Sequence, residues 1–449
     1  MVTLRMPLDE YLAKEAKDMA DRCTACGKCL EVCPMVDYTP YKDQDRGSLM
    51  ALARGVLKDG TYSEEAKVVA AACTGSADCL DVCPEGINPM RMLRLVQTNA
   101  ERLEREAGGG RPDGAAEFAK AFSMMDVVRS LQMRDSEINW YQGSIPDEVK
   151  ADTVLMLGCN IMRTPHLAHA GVEVVRRIGL NVQALGGRAY CCGAPGFGTD
   201  NRMSEKTTMG TFGAFDKFKP EQVLTWCPSC YHHFNDFTND IIDYDYEMGH
   251  TVHFLAENLE RVQAAIVKPV RKRIAIHEHG ALGSEAPIVP DVKKVLGVIP
   301  GLELVEIEQY PYGYQCGPIL GANPAAKRAA QRKVCEEAAK AKVDMLVTIH
   351  QSCDREFCTA EKYYPFESKG LIILLAEAMG LEYENRYKKF KMLGDVDQIM
   401  WEARDYAADS GYPVKRIRAA IQSEWGHPDE LSPESLRGQE YSASALEVE

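Results

Sequence analysis

Cysteine is the residue type in this sequence with the clearest capacity for chemistry. The chain has 16 cysteines in 449 residues, and thirteen of them fall into five tight groups. Cysteines that serve only as small apolar core residues usually occur singly, and a reducing compartment disfavours disulfides. The grouping therefore predicts metal binding. The groups are Cys23, Cys26, Cys29 and Cys33; Cys73, Cys79 and Cys83; Cys191 and Cys192; Cys227 and Cys230; and Cys353 and Cys358.

The first group has the spacing of the cysteine run in bacterial ferredoxins, Cys-x-x-Cys-x-x-Cys-x-x-x-Cys-Pro. In such a run the first three thiolates, here Cys23, Cys26 and Cys29, bind one 4Fe-4S cluster. The fourth, Cys33, reaches a second cluster. Four thiolates could also bind zinc, but a second cysteine motif downstream favours a two-cluster module.

The second group is one cysteine short of a complete run, because Ser76 stands where the run would have cysteine. Cys83 is then expected to complete the first cluster. Three thiolates remain for the second cluster, which fits a 3Fe-4S cluster. A 4Fe-4S cluster with an oxygen ligand from Ser76 or Asp78, or with an exogenous ligand, is the alternative. The expected ligands of the second cluster are Cys33, Cys73 and Cys79.

The stretch CTGSADCLDVCPEGINP, at 73–89, resembles the three-iron motif in the iron–sulfur subunits of succinate dehydrogenase and fumarate reductase, including its Cys-Pro-x-Gly-x-Asn-Pro ending. The wider module, roughly residues 15–100, resembles the α-helical ferredoxin of heterodisulfide reductase C-type subunits. The resemblance implies an α-helical two-cluster ferredoxin domain. Apolar residues at helical spacing in 46–60 and 90–106 agree with it.

From residue 152 the pattern changes to short apolar strands that alternate with helices, which is typical of parallel βαβ units. The same pattern then recurs in the following segment. Such internal repetition indicates two tandem α/β domains of one fold, here called copy one (151–270) and copy two (271–390). The intervals between corresponding loops are nearly constant when Cys159, Cys191–Cys192–Gly193 and Cys227–Cys230 are aligned with Gly280, Gln315–Cys316–Gly317 and His350–Cys353.

Copy one places five cysteines in loops that follow predicted strands, where open α/β sheets carry their sites. Five thiolates exceed the need of a tetrahedral zinc ion, so a multi-iron cluster is favoured. The five are Cys159, Cys191, Cys192, Cys227 and Cys230.

The spacing of these five cysteines resembles the CCG domain of heterodisulfide reductase B-type and D-type subunits. Similar domains occur in iron–sulfur subunits of glycolate oxidase, anaerobic glycerol-3-phosphate dehydrogenase and lactate-utilisation complexes. The resemblance implies a non-cubane 4Fe-4S cluster at the five positions, where a disulfide is cleaved or formed. An ordinary cubane on four of them is the alternative.

Copy two has lost several of these cysteines, since Gly280, Gln315 and His350 stand at three of the corresponding positions. The remaining thiols and nearby imidazoles could form a zinc site of the Cys2His2 type. An altered iron–sulfur cluster, or a degenerate copy without metal, are the other interpretations. The candidate ligands are Cys316, Cys353, His350, His279 and His277.

Four further histidines follow cysteines of copy one: His166, His169, His232 and His233. Lone histidines are most often structural, but imidazole titrates near neutral pH and could deliver protons at a redox centre. Cys335, in an alanine-rich segment, and Cys358 are expected to serve packing.

The bulk composition excludes several classes of function. A net charge of −14 disfavours nucleic acid and anionic membrane surfaces as partners. No apolar run reaches the roughly 18–20 residues of a membrane span, and the first residues lack the apolar region of a signal peptide. The sequence therefore predicts a cytoplasmic protein without a membrane span, for which docking to a membrane subunit stays open. No P-loop or dinucleotide-binding fingerprint is present.

These observations predict an α-helical ferredoxin-like domain (1–106), a linker (107–150), the two CCG copies and a helical acidic tail (391–449). The favoured function is a heterodisulfide reductase-like electron-transfer protein that acts on a disulfide or thiol substrate. The alternative is a relay subunit of a flavin-dependent dehydrogenase for glycolate, lactate, glycerol-3-phosphate or a methylated amine. A flavoprotein or another redox subunit is the expected partner in both cases. A zinc-bearing scaffold without redox function is the third hypothesis.

Overall fold

The N-terminal region of the computed structural model is helical, as the sequence predicts. The structure describes residues 2–108, 114–141, 145, 150–282, 287–317, 321, 323–432 and 435. Helix α3 begins after Asp45, whose carboxylate accepts a hydrogen bond from the Ser48 backbone N–H. Asn88 caps α5 in the same way, with Pro89 in its first turn. The helices are α1 (Leu8–Arg22), α2 (Lys28–Glu31), α3 (Arg46–Lys58), α4 (Glu64–Ala71) and α5 (Pro89–Glu106).

Copy one is built on a four-stranded parallel sheet of order β3-β2-β4-β6. The central strand β2 is buried along its whole length, which explains its continuous apolar sequence. Its elements are β2 (Thr153–Gly158), α7 (Pro165–Arg177), β3 (Val182–Gly186), α8 (Asn201–Asp216), β4 (Gln222–Thr225), α9 (Pro228–His233), β5 (Ile242–Asp243), β6 (Glu247–His250), α10 (Thr251–Glu257) and α11 (Leu259–Ala265).

Copy two repeats this topology in a second parallel sheet of order β10-β9-β7-β8. In both sheets the first strand lies between the second and the third, and the fourth strand extends the edge beside the third. The predicted fold class of two α/β domains after a helical domain is therefore confirmed. The elements are β7 (Lys272–His277), α12 (Val289–Gly297), β8 (Leu302–Leu304), α13 (Pro324–Lys340), β9 (Met345–Thr348), α14 (Gln351–Phe357), β10 (Glu367–Gly370) and α15 (Leu371–Ala378).

The N-terminal helices and the two copies pack on shared hydrophobic cores. Leu49, Leu95 and Val96 of the helical region belong to one buried cluster with Val154 and Phe212 of copy one. A second buried cluster joins copy one to copy two. Strand β1 (Thr3–Leu4) also pairs antiparallel with β5. Burial of apolar surface between the regions therefore fixes their relative positions.

The chain after copy two is helical where it is described. Helices α16 (Arg386–Leu393), α17 (Val396–Glu402), α18 (Arg404–Asp409) and α19 (Val414–Trp425) follow α15. Their buried residues, with Trp425 among them, pack against α6 (Gly114–Ser130), which lies inside the predicted linker. Residues 109–113, 142–144 and 146–149 of that linker, and nearly all of the tail beyond 432, lie outside the described residues. The predicted domain boundaries stay predictions.

No helix within the described ranges combines the length and the apolar character that crossing a bilayer requires.

Candidate functional site

Cys23, Cys26, Cys29 and Cys83 line one small cavity in the helical region. Three of them come from the loop and short helix after α1, and Cys83 comes from the loop before α5. Burial, and to a lesser extent charge repulsion from the neighbouring thiols, raises the pKa of Cys29 to about 12. Cys26 is exposed, whereas Cys23 and Cys29 are buried. Four thiols around one space suit a metal–sulfur group, because bound cations stabilise thiolates that burial alone would keep protonated.

Cys33, Cys73 and Cys79 lie together beside this first group. Burial, with a smaller contribution from the charge of Cys73, raises the pKa of Cys33 to about 12. The pKa of Cys79 is raised by burial and then by the charges of Cys73, Cys33 and Cys29. The pairing of Cys33 with the second motif and of Cys83 with the first thus has the crossed arrangement that the sequence predicts. The repulsion between Cys29 and Cys79 shows that the two groups adjoin each other.

The five cysteines of copy one form a continuous chain of thiol contacts. Cys191 accepts hydrogen bonds from Cys159 and Cys192, which lower its pKa well below the usual value. Cys230 in turn bonds to Cys192 and Cys227. The bond from Cys230 lowers the pKa of Cys227 to about 7. Such contacts among five sulfurs, of which only that of Cys159 belongs to a partly exposed residue, are expected of thiolates that bind one multi-iron cluster.

The sheet of copy one brings these cysteines together at its carboxyl edge. Cys159 directly follows β2, and Cys227 lies two residues after β4. These two strands are neighbours in the sheet. The chain continues from β2 to β3 on one side and later to β4 on the other, and open α/β sheets bind their ligands at such a switch point in the strand order. Gly158 has a φ of +74°, and a Cβ there would lie 3.0 Å from the Cys227 Cβ and 3.1 Å from the Cys230 Sγ. Only glycine leaves room for the cysteine loop at this position.

Helix α8 positions the adjacent cysteines through two threonines that the sequence interpretation missed. Thr208 Oγ1 donates a hydrogen bond of 2.6 Å to the carbonyl of Cys192. Thr211 Oγ1 donates one of 2.6 Å to the carbonyl of Cys191. Gly193 follows with a φ of +94°, and a Cβ there would clash with the Thr208 Oγ1. The spacing of three residues, which puts both threonines on one helix face, is a signal that the sequence does contain.

A cavity of about 480 Å³ lies between the second N-terminal group and the cysteines of copy one. Its wall includes Cys73 on one side and four of the five copy-one cysteines on the other. Tyr314 and Gln315 of copy two close part of it. The described lining residues from copy one include Cys159, Cys192, Cys227, Cys230, His232 and His233.

The four histidines of copy one differ in their access to this cavity. His232 lines it, and its Nδ1 lies 2.6 Å from the Asp236 Oδ2. His233 also lines it, but burial lowers its pKa to about 3, so its imidazole is neutral. His166 and His169 are not among the described residues of the wall. His166 instead lies buried, 4.0 Å from the Asp354 carboxylate of copy two.

Copy two holds a compact group of two histidines and two cysteines. One ligand atom from each of His277, His279, Cys316 and Cys353 lies within 4.8 Å of the others, and all four residues are buried. His277 Nε2 lies 2.9 Å from the Cys316 Sγ, and His279 Nε2 lies 2.9 Å from the Cys353 Sγ. His350 is outside this group, with its ring centroid 5.9 Å from that of His279.

The lost cysteine position Gly280 has a packing function. A Cβ at Gly280 would lie 2.5 Å from the backbone oxygen of Ser76. Gly313, with a φ of +76°, approaches the backbone oxygen of Thr74 equally closely. Copy two therefore forms the surface on which the loop of the second N-terminal group rests.

Comparison with known proteins finds one family model in the N-terminal helical region and a second in each of the two α/β copies. A family model for a 4Fe-4S dicluster domain matches residues 19–87. A model for a cysteine-rich domain of the CCG type matches twice, over residues 153–235 and 280–357.

Three curated relatives are oxidoreductases or their subunits. The D-type subunit of the dihydromethanophenazine:CoB–CoM heterodisulfide reductase of Methanosarcina mazei is 23% identical over 397 residues, which cover 81% of this chain and 94% of that relative. The B-type subunit of the CoM/CoB fumarate reductase of Methanothermobacter marburgensis is 25% identical over 340 residues, 74% of this chain and 55% of the relative. The EtfAB:quinone oxidoreductase of Syntrophomonas wolfei is 23% identical over 181 residues, 38% of this chain and 25% of that protein.

Proposed function

Because this chain is an iron–sulfur electron-transfer protein homologous to the D-type subunit of heterodisulfide reductase, we propose that it performs disulfide–thiol chemistry at the five cysteines of copy one. Electrons would pass between the N-terminal groups and this site. Reduction of one disulfide consumes two electrons and two protons and yields two thiols; thiol oxidation is the reverse. The heterodisulfide in the name of the relative is the first substrate class to test.

The single observation that carries the proposal is the shared cavity. Cys73 of the second N-terminal group and the copy-one cysteines line the same space, and Cys29 of the first group adjoins Cys79. The cysteine groups thus follow one another from the exposed Cys26 to the cavity. A partner redox subunit, such as a flavoprotein, would exchange electrons at the exposed end.

The cofactors of the proposal follow from the donor sets. Iron–sulfur clusters bound at these cysteines would supply the one-electron carriers. A 4Fe-4S cluster suits Cys23, Cys26, Cys29 and Cys83, and a 3Fe-4S cluster suits Cys33, Cys73 and Cys79. A non-cubane 4Fe-4S cluster suits the five linked thiols of copy one. In copy two, zinc suits His277, His279, Cys316 and Cys353, whose donor set is that of structural zinc sites.

His232 is the residue that we assign to proton delivery. It lines the cavity together with Cys230, and its Nδ1 lies 2.6 Å from the Asp236 Oδ2. His233 is a poor proton source near neutral pH, because burial keeps its imidazole neutral. A cytoplasmic location, with or without docking to a membrane subunit, belongs to the same proposal, since a reducing compartment keeps cysteine ligands free.

The test uses the full chain prepared without oxygen, with Cys192→Ser and Cys358→Ser as variants. Both positions are buried cysteines, but Cys358 lies outside the cysteine groups that line the cavity. We expect wild type and Cys358→Ser to be reoxidised by the CoM–CoB heterodisulfide after chemical reduction. We expect Cys192→Ser to fall to the protein-free rate, since it loses a ligand of copy one.

Two results would contradict the proposal: absence of acid-labile sulfide from the anaerobic wild type, or full disulfide turnover by Cys192→Ser. If the reduced chain reduces none of the disulfides tested but exchanges electrons with a co-purifying flavoprotein, the relay function replaces the proposed disulfide chemistry. The homology to the D-type subunit favours the disulfide chemistry over that relay.

A further inference from the structure

Two glutamines of copy two reach the cysteine loop of copy one. Gln315 Nε2 donates a hydrogen bond to the Oγ of Ser229, which lies between Cys227 and Cys230. Gln315 Oε1 accepts a hydrogen bond of 3.0 Å from Ser352. Gln351 lies close enough to Cys227 to contribute to the low pKa of that thiol, after the larger effect of the bond from Cys230. Copy two therefore supplies polar groups at the edge of the copy-one site.

Gln351 is a buried amide of copy two near the copy-one cysteines. Gln351 is fully buried, and neither its amide nitrogen nor its amide oxygen makes a hydrogen bond within the described part of the chain. Leaving a buried amide unpaired destabilises the folded chain. An unpaired buried amide is therefore expected where it can interact with a thiolate or with a group that the thiolate binds.

The two glutamines lie next to candidate zinc ligands of copy two in the sequence. Gln315 directly precedes Cys316, and Gln351 begins α14 two residues before Cys353. The four candidate ligand atoms lie within 4.8 Å of one another. Two thiolates at about 2.3 Å from one zinc ion stand roughly 3.8 Å apart in a tetrahedral site. Closure around the ion therefore needs only small side-chain shifts.

We infer that a zinc ion bound by His277, His279, Cys316 and Cys353 positions Gln315 and Gln351 against the Cys227–Cys230 loop of copy one. The ion joins the loop that carries Gln315 to the start of α14 and to the end of β7. Hydrogen bonds to ligand sulfurs change the reduction potential of a bound cluster. The zinc site is thus a positioning site for the redox centre, an inference that rests on the proposed cluster in copy one.

The first experiment compares Cys316→Ala with Cys335→Ala in the full chain, prepared without oxygen. Both changes remove a buried thiol from copy two, but the pKa of Cys335 is raised by burial and by Glu336 alone, with no effect from the four ligands. We expect one zinc per chain in wild type and Cys335→Ala, and loss of zinc with retention of iron in Cys316→Ala. The paramagnetic-resonance signal and midpoint potential that disappear in Cys192→Ser mark copy one. We expect both to shift in Cys316→Ala, with the N-terminal signals unchanged.

The second experiment uses Gln315→Leu and Gln351→Leu, which leave all four zinc ligands in place. We expect both variants to keep their zinc and to shift the copy-one signal, and this pair decides the matter if Cys316→Ala fails to fold. Iron or no metal at the copy-two site of wild type would overturn the zinc assignment. Zinc loss or glutamine removal without a shift would overturn the positioning function. A wild type that keeps zinc but lacks iron in copy one would instead contradict the proposed function.

Discussion

At the scale of single residues, Ser76 decides how many thiolates the second N-terminal group has. Its neighbours Cys73 and Cys79 lie with Cys33, and burial, followed by the charge of Cys73, raises the pKa of both Cys33 and Cys79. A cysteine at position 76 would give this group a fourth thiolate at the spacing of a complete ferredoxin run. The Ser76 backbone packs against Gly280, and its side chain is half-buried.

Ser76→Cys is expected to convert the second group from a 3Fe-4S to a 4Fe-4S site. Total iron should rise from about eleven to about twelve atoms per chain, and the signal of the oxidised three-iron cluster should vanish. Iron analysis and paramagnetic resonance on the anaerobic protein measure both. Ser76→Ala, the control, should keep the three-iron signal. Persistence of that signal in Ser76→Cys would refute the ligand set Cys33, Cys73 and Cys79.

At the scale of elements, helix α8 acts as a brace for the adjacent cysteines. Asp200 caps its first turn by accepting a hydrogen bond of 3.0 Å from the Met203 N–H. Thr208 and Thr211 then point one helix face at Cys191 and Cys192. The turn at Gly193 tolerates no larger residue, because the helix backbone at Ser204 lies 2.5 Å from a Cβ placed there. The position of the two cysteines is therefore set by the helix rather than by their own loop.

Thr211→Val keeps the shape of the side chain and removes its hydrogen bond to the Cys191 carbonyl. The orphaned buried carbonyl should cost about 1–3 kcal/mol in the free energy of unfolding. Iron should also leave copy one faster in the presence of a chelator. Thermal unfolding and the rate of iron release are the measurements. Thr207→Val alters a half-buried threonine of the same helix and should change neither; equal effects from both variants would show that α8 has no specific bracing function.

At the scale of the whole molecule, each cysteine group depends on more than one region of the chain. The helical region shares a core with copy one, and the loop of its second group rests on Gly280 and Gly313 of copy two. Arg91 of α5 makes a salt bridge of 3.2 Å to Glu15 and hydrogen-bonds Tyr11, whose hydroxyl donates to Asp240 of copy one at 2.5 Å. Both copies therefore support the N-terminal region.

Gly280→Ala should damage the N-terminal region although it lies in copy two. The added methyl would lie 2.5 Å from the Ser76 backbone, and overpacking of this kind costs about 1–3 kcal/mol. We expect a lower unfolding temperature and early loss of iron from the second N-terminal group. Gly297→Ala, whose added methyl meets nothing within 4 Å, is the control and should be neutral or slightly stabilising. Undisturbed iron in Gly280→Ala would show that the loop can rest elsewhere.

Much of the fold followed from local patterns. Apolar residues at helical spacing marked α3 and α5, and alternating strands and helices marked two copies of one α/β fold. The short strands β6 and β10 were not predicted, because a four-residue edge strand carries little periodicity of its own. Strand β8 is only three residues long, Leu302–Leu304, since the chain leaves the sheet edge after pairing with β7.

The sequence by itself determined which cysteines are candidate ligands, because cysteines that bind one metal group from a single loop must keep a fixed local spacing. It thereby determined the two N-terminal groups, the five cysteines of copy one and the repeat that relates the copies. Only the tertiary structure decided which distant residues meet. It set His350 apart from the four ligand candidates of copy two, joined Cys73 to copy one across one cavity, and placed Gln315 against Ser229 and Gln351 near Cys227. Such contacts depend on how separate sheets and helices bury their apolar faces against one another, and no local spacing encodes that packing.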